Sequence, residues 1–145
     1  MSSSDKPLSF SSLIETIERG GVEARQRLMA LVHHRPKIVL PYAKEVAALL
    51  DSSRTPVREA SIEILAMLSR VSPTAMAFLI PRLHDLLANE PQNSIANHAI
   101  EILHNYARTS KDAAQKVIPI LKSSIMSLKP KTKALVSEVI EDLSK

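Results

Sequence analysis

The sequence predicts an all-α protein, on three observations. Only two of its 145 residues are glycine, the adjacent Gly20 and Gly21, too few for a fold built on tight β-turns. Ala, Leu, Ile, Glu and Lys dominate, a set that favours helices. Prolines recur inside amphipathic runs at Pro41, Pro81 and Pro119, 40 and 38 residues apart, which points to an internal repeat. Hydrophobic residues make up 45% of the chain, so a sizeable core is available.

The elements follow in order. Residues 1–8 are expected to form a disordered tail. Ser9 is placed to cap a first helix, with Leu8 and Leu13 at the spacing of a hydrophobic staple, and "RGG" (19–21) ends it. "VEARQRLMALV" (22–32) is its partner. Pro36, Pro56 and Pro73 read as helix starts, with Thr55 and Ser72 as N-caps before two of them. "VLPYAKEV", "LIPRLHDLL" and "VIPILKSSI" each hold one of the recurring prolines within a helix, where it costs ~3 kcal/mol. A kink that wraps the helix around its neighbours, with packing to offset the lost bond, is the expected reason. Each is followed by a second helix: "PVREASIEILAML" (56–68), "SIANHAIEILHNY" (94–106) and "KALVSEVIEDL" (133–143). "DSSRTP" (51–56) and "NEPQNS" (89–94) are turns. The unit boundaries fall near 9–35, 36–71, 72–109 and 110–145, giving one domain over 9–145 with about eight helices in four antiparallel pairs.

This pattern resembles HEAT repeats, in which the first helix holds a proline, the turn is acidic or polar, and V-R-x-x-A opens the second helix. "LPYAKEVAALLDSSRTPVREASIEIL" matches through Pro41, Asp51, Val57, Arg58 and Ala60. The third copy keeps Pro81 but has Ala96 where Arg58 stands, the fourth keeps Pro119, and the first has no internal proline. The resemblance spans roughly residues 9 to 145. It implies a right-handed α–α superhelix, a solenoid whose second helices line the concave side.

On the second helix of the second pair, Val57, Ala60, Ser61, Ile64, Leu65 and Leu68 face inward by helical spacing. Glu59, Glu63, Ala66 and Arg70 form the opposite ridge. The corresponding ridges are Glu23, Arg27, Ala30 and His34; Asn97, Glu101, His104 and Arg108; and Ala134, Glu138, Glu141 and Lys145. Glu63, Glu101 and Glu138 recur 38 and 37 residues apart. The function expected is a non-enzymatic scaffold or adaptor that binds a peptide or protein through this mixed-charge ridge. Glu59, Glu63, Arg70, Asn97, Glu101, His104, Arg108, Glu138 and Glu141 would supply the contacts. The alternative is phosphate-backbone binding by the Lys-rich last unit, through Lys111, Lys116, Lys122, Lys129, Lys131 and Lys133. From Lys111 onward seven lysines stand against four carboxylates.

Other chemistry has little footing. The absence of cysteine excludes disulfides, thiolate metal sites and a cysteine nucleophile, and it fits a cytoplasmic location. "EILH" (101–104) has the Glu-x-x-His spacing of di-iron bundles, but no second copy exists, so no metal or other cofactor is expected. No serine lies in G-x-S-x-G and no Gly-rich phosphate loop is present. Four aromatics, Phe10, Tyr42, Phe78 and Tyr106, leave few rings for stacking on bases, and Phe78 and Tyr106 sit at core-compatible positions. No signal peptide and no membrane-length apolar run is read, so no membrane partner is expected. The chain is expected to be a monomer or weak homodimer.

Overall fold

A computed structural model describes residues 10–145, and among them every regular element is helical, with eight α-helices and no strand. The expected tail at 1–8 and the Ser9 cap with its Leu8 staple lie outside the described residues. The chain divides into two compact units, one ending at Leu68 and the other beginning at Ser69, within a single helix.

The first unit starts with α1 (Phe10–Arg19), which packs on α2 (Val22–His34) across the two-glycine turn. A Cβ on Gly20 would lie 2.4 Å from the Thr16 carbonyl oxygen, whereas one on Gly21 would meet nothing within 4 Å. Only Gly20 is therefore required by close approach. Leu13 and Ile17 of α1 and Leu28 and Val32 of α2 are buried, each pair one turn apart. α2 stops at Arg35, which leaves the α region with φ −136° and ψ 67° because Pro36 disfavours helical backbone in the residue before it. Two 3₁₀ turns follow, Pro36–Ile38 and Leu40–Tyr42, then α3 (Ala43–Ala48) and a further 3₁₀ turn, Leu49–Asp51. α4 (Thr55–Val71) packs on α3, and its buried Ser61 Oγ donates to the Val46 carbonyl at 2.6 Å. The expected inward set on α4 is buried throughout. Ala66 is also fully buried, although the helical reading places it on the outer ridge. From Val57 to Ser69 only Glu59 and Glu63 are exposed, so α4 is nearly surrounded by protein.

The second unit contains the end of α4, a 3₁₀ segment (Pro73–Leu79), α5 (Ile80–Asn89), α6 (Asn93–Ala107), α7 (Lys111–Ser124), a 3₁₀ turn (Ile125–Ser127) and α8 (Pro130–Leu143). α6 is its centre and touches Pro73–Leu79, α5, α7 and α8. Ile95, Ala96, Ala99, Ile100, Ile102, Leu103 and Ala107 are buried along it. The small residues Ala96, Ala99 and Ala107 let neighbouring helices approach. Four buried polar side chains, Ser61, Ser69, Ser124 and Thr132, occur in the described chain, and no buried side-chain polar atom there lacks a hydrogen bond.

The three recurring prolines behave differently. Pro41 and Pro81 are each the second residue of a helical segment, where a missing N–H is harmless, and the chain upstream is 3₁₀ rather than α. Only Pro119 lies inside a continuous α-helix, α7. The expected kinked helix is thus a restart in two units. Two expected caps also differ. Thr55 is already helical, with Arg54 at the cap position and its carbonyl accepting from the amides of Val57 and Arg58. Ser72 stands before Pro73 but makes no side-chain cap bond. The working cap is Ser110, whose Oγ accepts from Ala113 N at 3.0 Å. Phe78, expected in the core, is 38% exposed. No helix among the described residues is long and apolar enough to cross a membrane.

Candidate functional site

Within the first unit, α2 and α4 border a groove of about 520 Å³. It is made by two matching helical stripes. Val22, Arg25, Gln26 and Met29 come from α2, and Pro56, Glu59, Ala60 and Glu63 from α4. Each set has i, i+3, i+4, i+7 spacing, which aligns four side chains on one face. Val22, Met29, Pro56 and Ala60 give the groove its apolar surface, and Val22 is 64% exposed there. Glu59 and Glu63 are exposed and give the α4 wall a negative edge. Arg25 on the facing wall donates to the Gly20 carbonyl, which draws its guanidinium toward the α1–α2 turn. A second cleft, of about 480 Å³, lies at the turn ends and is polar, with Glu18, Arg19, Asp51 and Arg54 among its lining. An Arg54 Nη1 bond to the Glu18 carbonyl spans it.

In the second unit the outer ridge is bonded to itself. Arg70 grips Glu101 bidentately, with Nε 2.6 Å from Oε2 and Nη2 3.0 Å from Oε1. The Arg70 hydrogen bond is the largest of the effects that hold the Glu101 carboxyl below its ordinary value. Partial burial opposes it, and the charges of Arg70 and His98 and a bond from Asn105 support it. His104 Nε2 lies 2.7 Å from Asp142 Oδ2 on α8. This bond first, then the charges of His104, Arg108 and Lys145, lowers the Asp142 carboxyl. Asn105 donates to Ser69 Oγ at 3.1 Å, and Thr132 Oγ1 reaches Asn97 Oδ1 at 3.4 Å. Polar bonds thus join the end of α4 to α6, and α6 to α8. Glu101 and His104 act first as internal ties, while Arg108, Glu138 and Glu141 remain exposed.

The Arg70–Glu101 pair makes stability depend on pH with a definite sign. Its folded carboxyl titrates below the ordinary 4.5, so the contribution is fully present above that value. It is lost as pH falls through the lower folded value. Because Arg70 is 47% exposed and Glu101 33%, solvent screening limits the pair to about 0.5–1 kcal/mol. Arg70→Met is expected to cost that much at neutral pH and to flatten the acid limb of urea-monitored stability below pH 4.5. An unchanged acid limb would assign the slope to other carboxylates.

His98 Nδ1 donates to the Ser94 carbonyl at 2.9 Å, so His98, Glu101 and His104 each have a protein partner. Among the described residues no group of three or more His, Asp or Glu is placed to hold a metal ion. Of the expected phosphate-binding lysines, Lys111, Lys116, Lys122, Lys129 and Lys131 are exposed and Lys133 is half-buried. Lys129 Nζ donates to the Pro91 carbonyl at 3.1 Å. On α7 the intervals of five and six residues turn Lys116 about 140° away from Lys111, so these lysines do not form a single row.

Sequence reasoning missed Asp142, Asn105, Ser69 and Thr132, and it missed the α2 stripe of the groove. A signal for the first group was present. The partners His104 and Asp142 are 38 residues apart, the interval between successive units. No protein-family model, curated protein or solved structure matches the chain.

Proposed function

We propose that the chain is a HEAT-like array of four helix pairs that works as a non-enzymatic protein-interaction module. The α2–α4 groove receives a peptide or protein segment. The observation behind this reading is the groove itself, with its apolar surface between matched helical stripes and an acidic edge from Glu59 and Glu63. Such a site suits an apolar side chain flanked by lysine or arginine, because apolar burial supplies affinity and the carboxylates select the flanking charge. The HEAT-like reading draws support from the element order, since each expected pair boundary coincides with a break between helices. Polar bonds and packing between α6 and α8, second helices of successive pairs, fit it too. A chain free of cysteine suits a reducing compartment such as the cytoplasm.

Selection from a displayed peptide library tests the reading. The wild-type protein should enrich segments with an apolar residue between basic ones. Glu59→Arg/Glu63→Arg should bind those segments at least tenfold more weakly, while Glu138→Arg/Glu141→Arg on α8 leaves groove binding within about threefold. Both pairs are exposed, so circular dichroism should be unchanged. Equal binding by the α4 reversal and the wild type would remove the groove from the function.

A further inference from the structure

The turn between α7 and α8 has a combination of features that the groove does not use. Met126 is 84% exposed, more than the other exposed large hydrophobic side chains of the described chain, Val22, Val71 and Phe78. It sits at the middle of the 3₁₀ turn Ile125–Ser127, closed by the Leu128 amide on the Ile125 carbonyl. Its apolar neighbours Ile125 and Leu128 turn inward, half-buried and buried. Ser127 Oγ donates to the Ser124 carbonyl at 2.9 Å, and Ser124 Oγ to the Ile120 carbonyl at 2.8 Å. The methionine is therefore presented by a hydrogen-bonded turn.

The stretch of chain around the turn carries positive charge alone. Residues 113–137 contain five lysines and no carboxylate. Lys122 precedes the turn near the end of α7, and Lys129 and Lys131 follow it at the start of α8, which packs on α7. They flank Met126 on both sides. Lys129 and Lys131 stand at the positive end of the α8 dipole, an unfavourable place for cations that an anionic surface would relieve. One acid is nearby in sequence to the Pro91 carbonyl that Lys129 reaches: Glu90, whose carboxylate accepts from the Gln92 amide at 3.1 Å.

We propose that this turn docks the protein on an anionic lipid surface, with Met126 entering the headgroup layer and Lys122, Lys129 and Lys131 lying against lipid phosphates and carboxylates. A phosphate backbone would use the lysines alone and give the methionine no apolar environment. A bilayer interface uses both. The sequence offers no membrane span, and a surface contact needs none. The site is separate from the α2–α4 groove, and its test does not depend on that reading.

Flotation of the full chain with vesicles decides the matter. Binding to phosphatidylserine-rich vesicles and not to phosphatidylcholine vesicles is expected at physiological salt. Met126→Gln, which keeps the charge, should lower partitioning by about three- to tenfold. Lys122→Glu/Lys131→Glu should lower it more than tenfold, since each lysine near such a surface is worth about fivefold. The three side chains are exposed, so circular dichroism should match the wild type. Equal binding to both vesicle types, no binding, or an undiminished Met126→Gln variant would overturn the proposal. So would tighter binding to duplex DNA that ignores Met126→Gln, which would make the lysines a nucleic-acid site.

Discussion

Ile100→Ala is expected to destabilise the protein by about 3 kcal/mol, the largest single-residue effect argued from this fold. Ile100 is fully buried on α6, the helix that touches Pro73–Leu79, α5, α7 and α8. Removing its branched chain loses the transfer free energy of the deleted carbons and leaves a cavity at the centre of the second unit. Collapse into that cavity would require several helices to shift at once, so little of the loss should be recovered. Urea unfolding of the purified protein checks this through a lower midpoint at unchanged slope. Met126→Ala is the control, expected within about 0.5 kcal/mol of wild type because its side chain stands in water. If Ile100→Ala cost no more than the control, α6 would not be the keystone that its contacts make it.

Much of the fold was legible because its breaks are local chemistry. The glycine pair at 20–21, Pro36 after "HHR", "DSSRTP" and "NEPQNS" each forbid or disfavour continued helix, and helices stop at all four. Which of two adjacent stripes meets a neighbour was less legible, because one residue of offset turns a side chain by 100°. Glu23, Arg27, Ala30 and His34 on α2 are exposed as their spacing predicts, but the groove is lined by the stripe beside them, Val22, Arg25, Gln26 and Met29. On α8 Glu141 is exposed as expected, and the bond to His104 is made by its neighbour Asp142. Ala66 failed for another reason: spacing gives the direction of a side chain and says nothing of how many neighbours surround the helix, and α4 is covered on most sides. Arg70 and Glu101 were both placed on ridges, but their pairing depends on the stagger between helices, which no single-helix pattern contains.

Pro119→Ala is expected to stabilise the protein, by about 1–3 kcal/mol. In sequence the three recurring prolines look equivalent. In the fold they differ in what their missing N–H would have done. At Pro41 and Pro81 the segment that each proline opens offers no carbonyl to receive it, and the residues just upstream are 3₁₀ turns rather than α-helix. Pro119 lies deep in α7, where an N–H would bond the Gln115 carbonyl. Gln115 is exposed, so water partly satisfies that carbonyl, which puts the expected gain below the full cost of a helix-interior proline. Pro119 is itself exposed, so alanine sacrifices little packing. Thermal unfolding of Pro119→Ala beside Pro81→Ala separates the cases, with a higher midpoint expected for the first and a change under about 0.5 kcal/mol for the second. A loss of stability in Pro119→Ala would show that the backbone shape Pro119 imposes on α7 is needed to seat Val117 and Leu121 in the core, where both are fully buried. The recurring proline would then be retained in this unit for helix shape. A gain would mean that the fold tolerates Pro119 without using it.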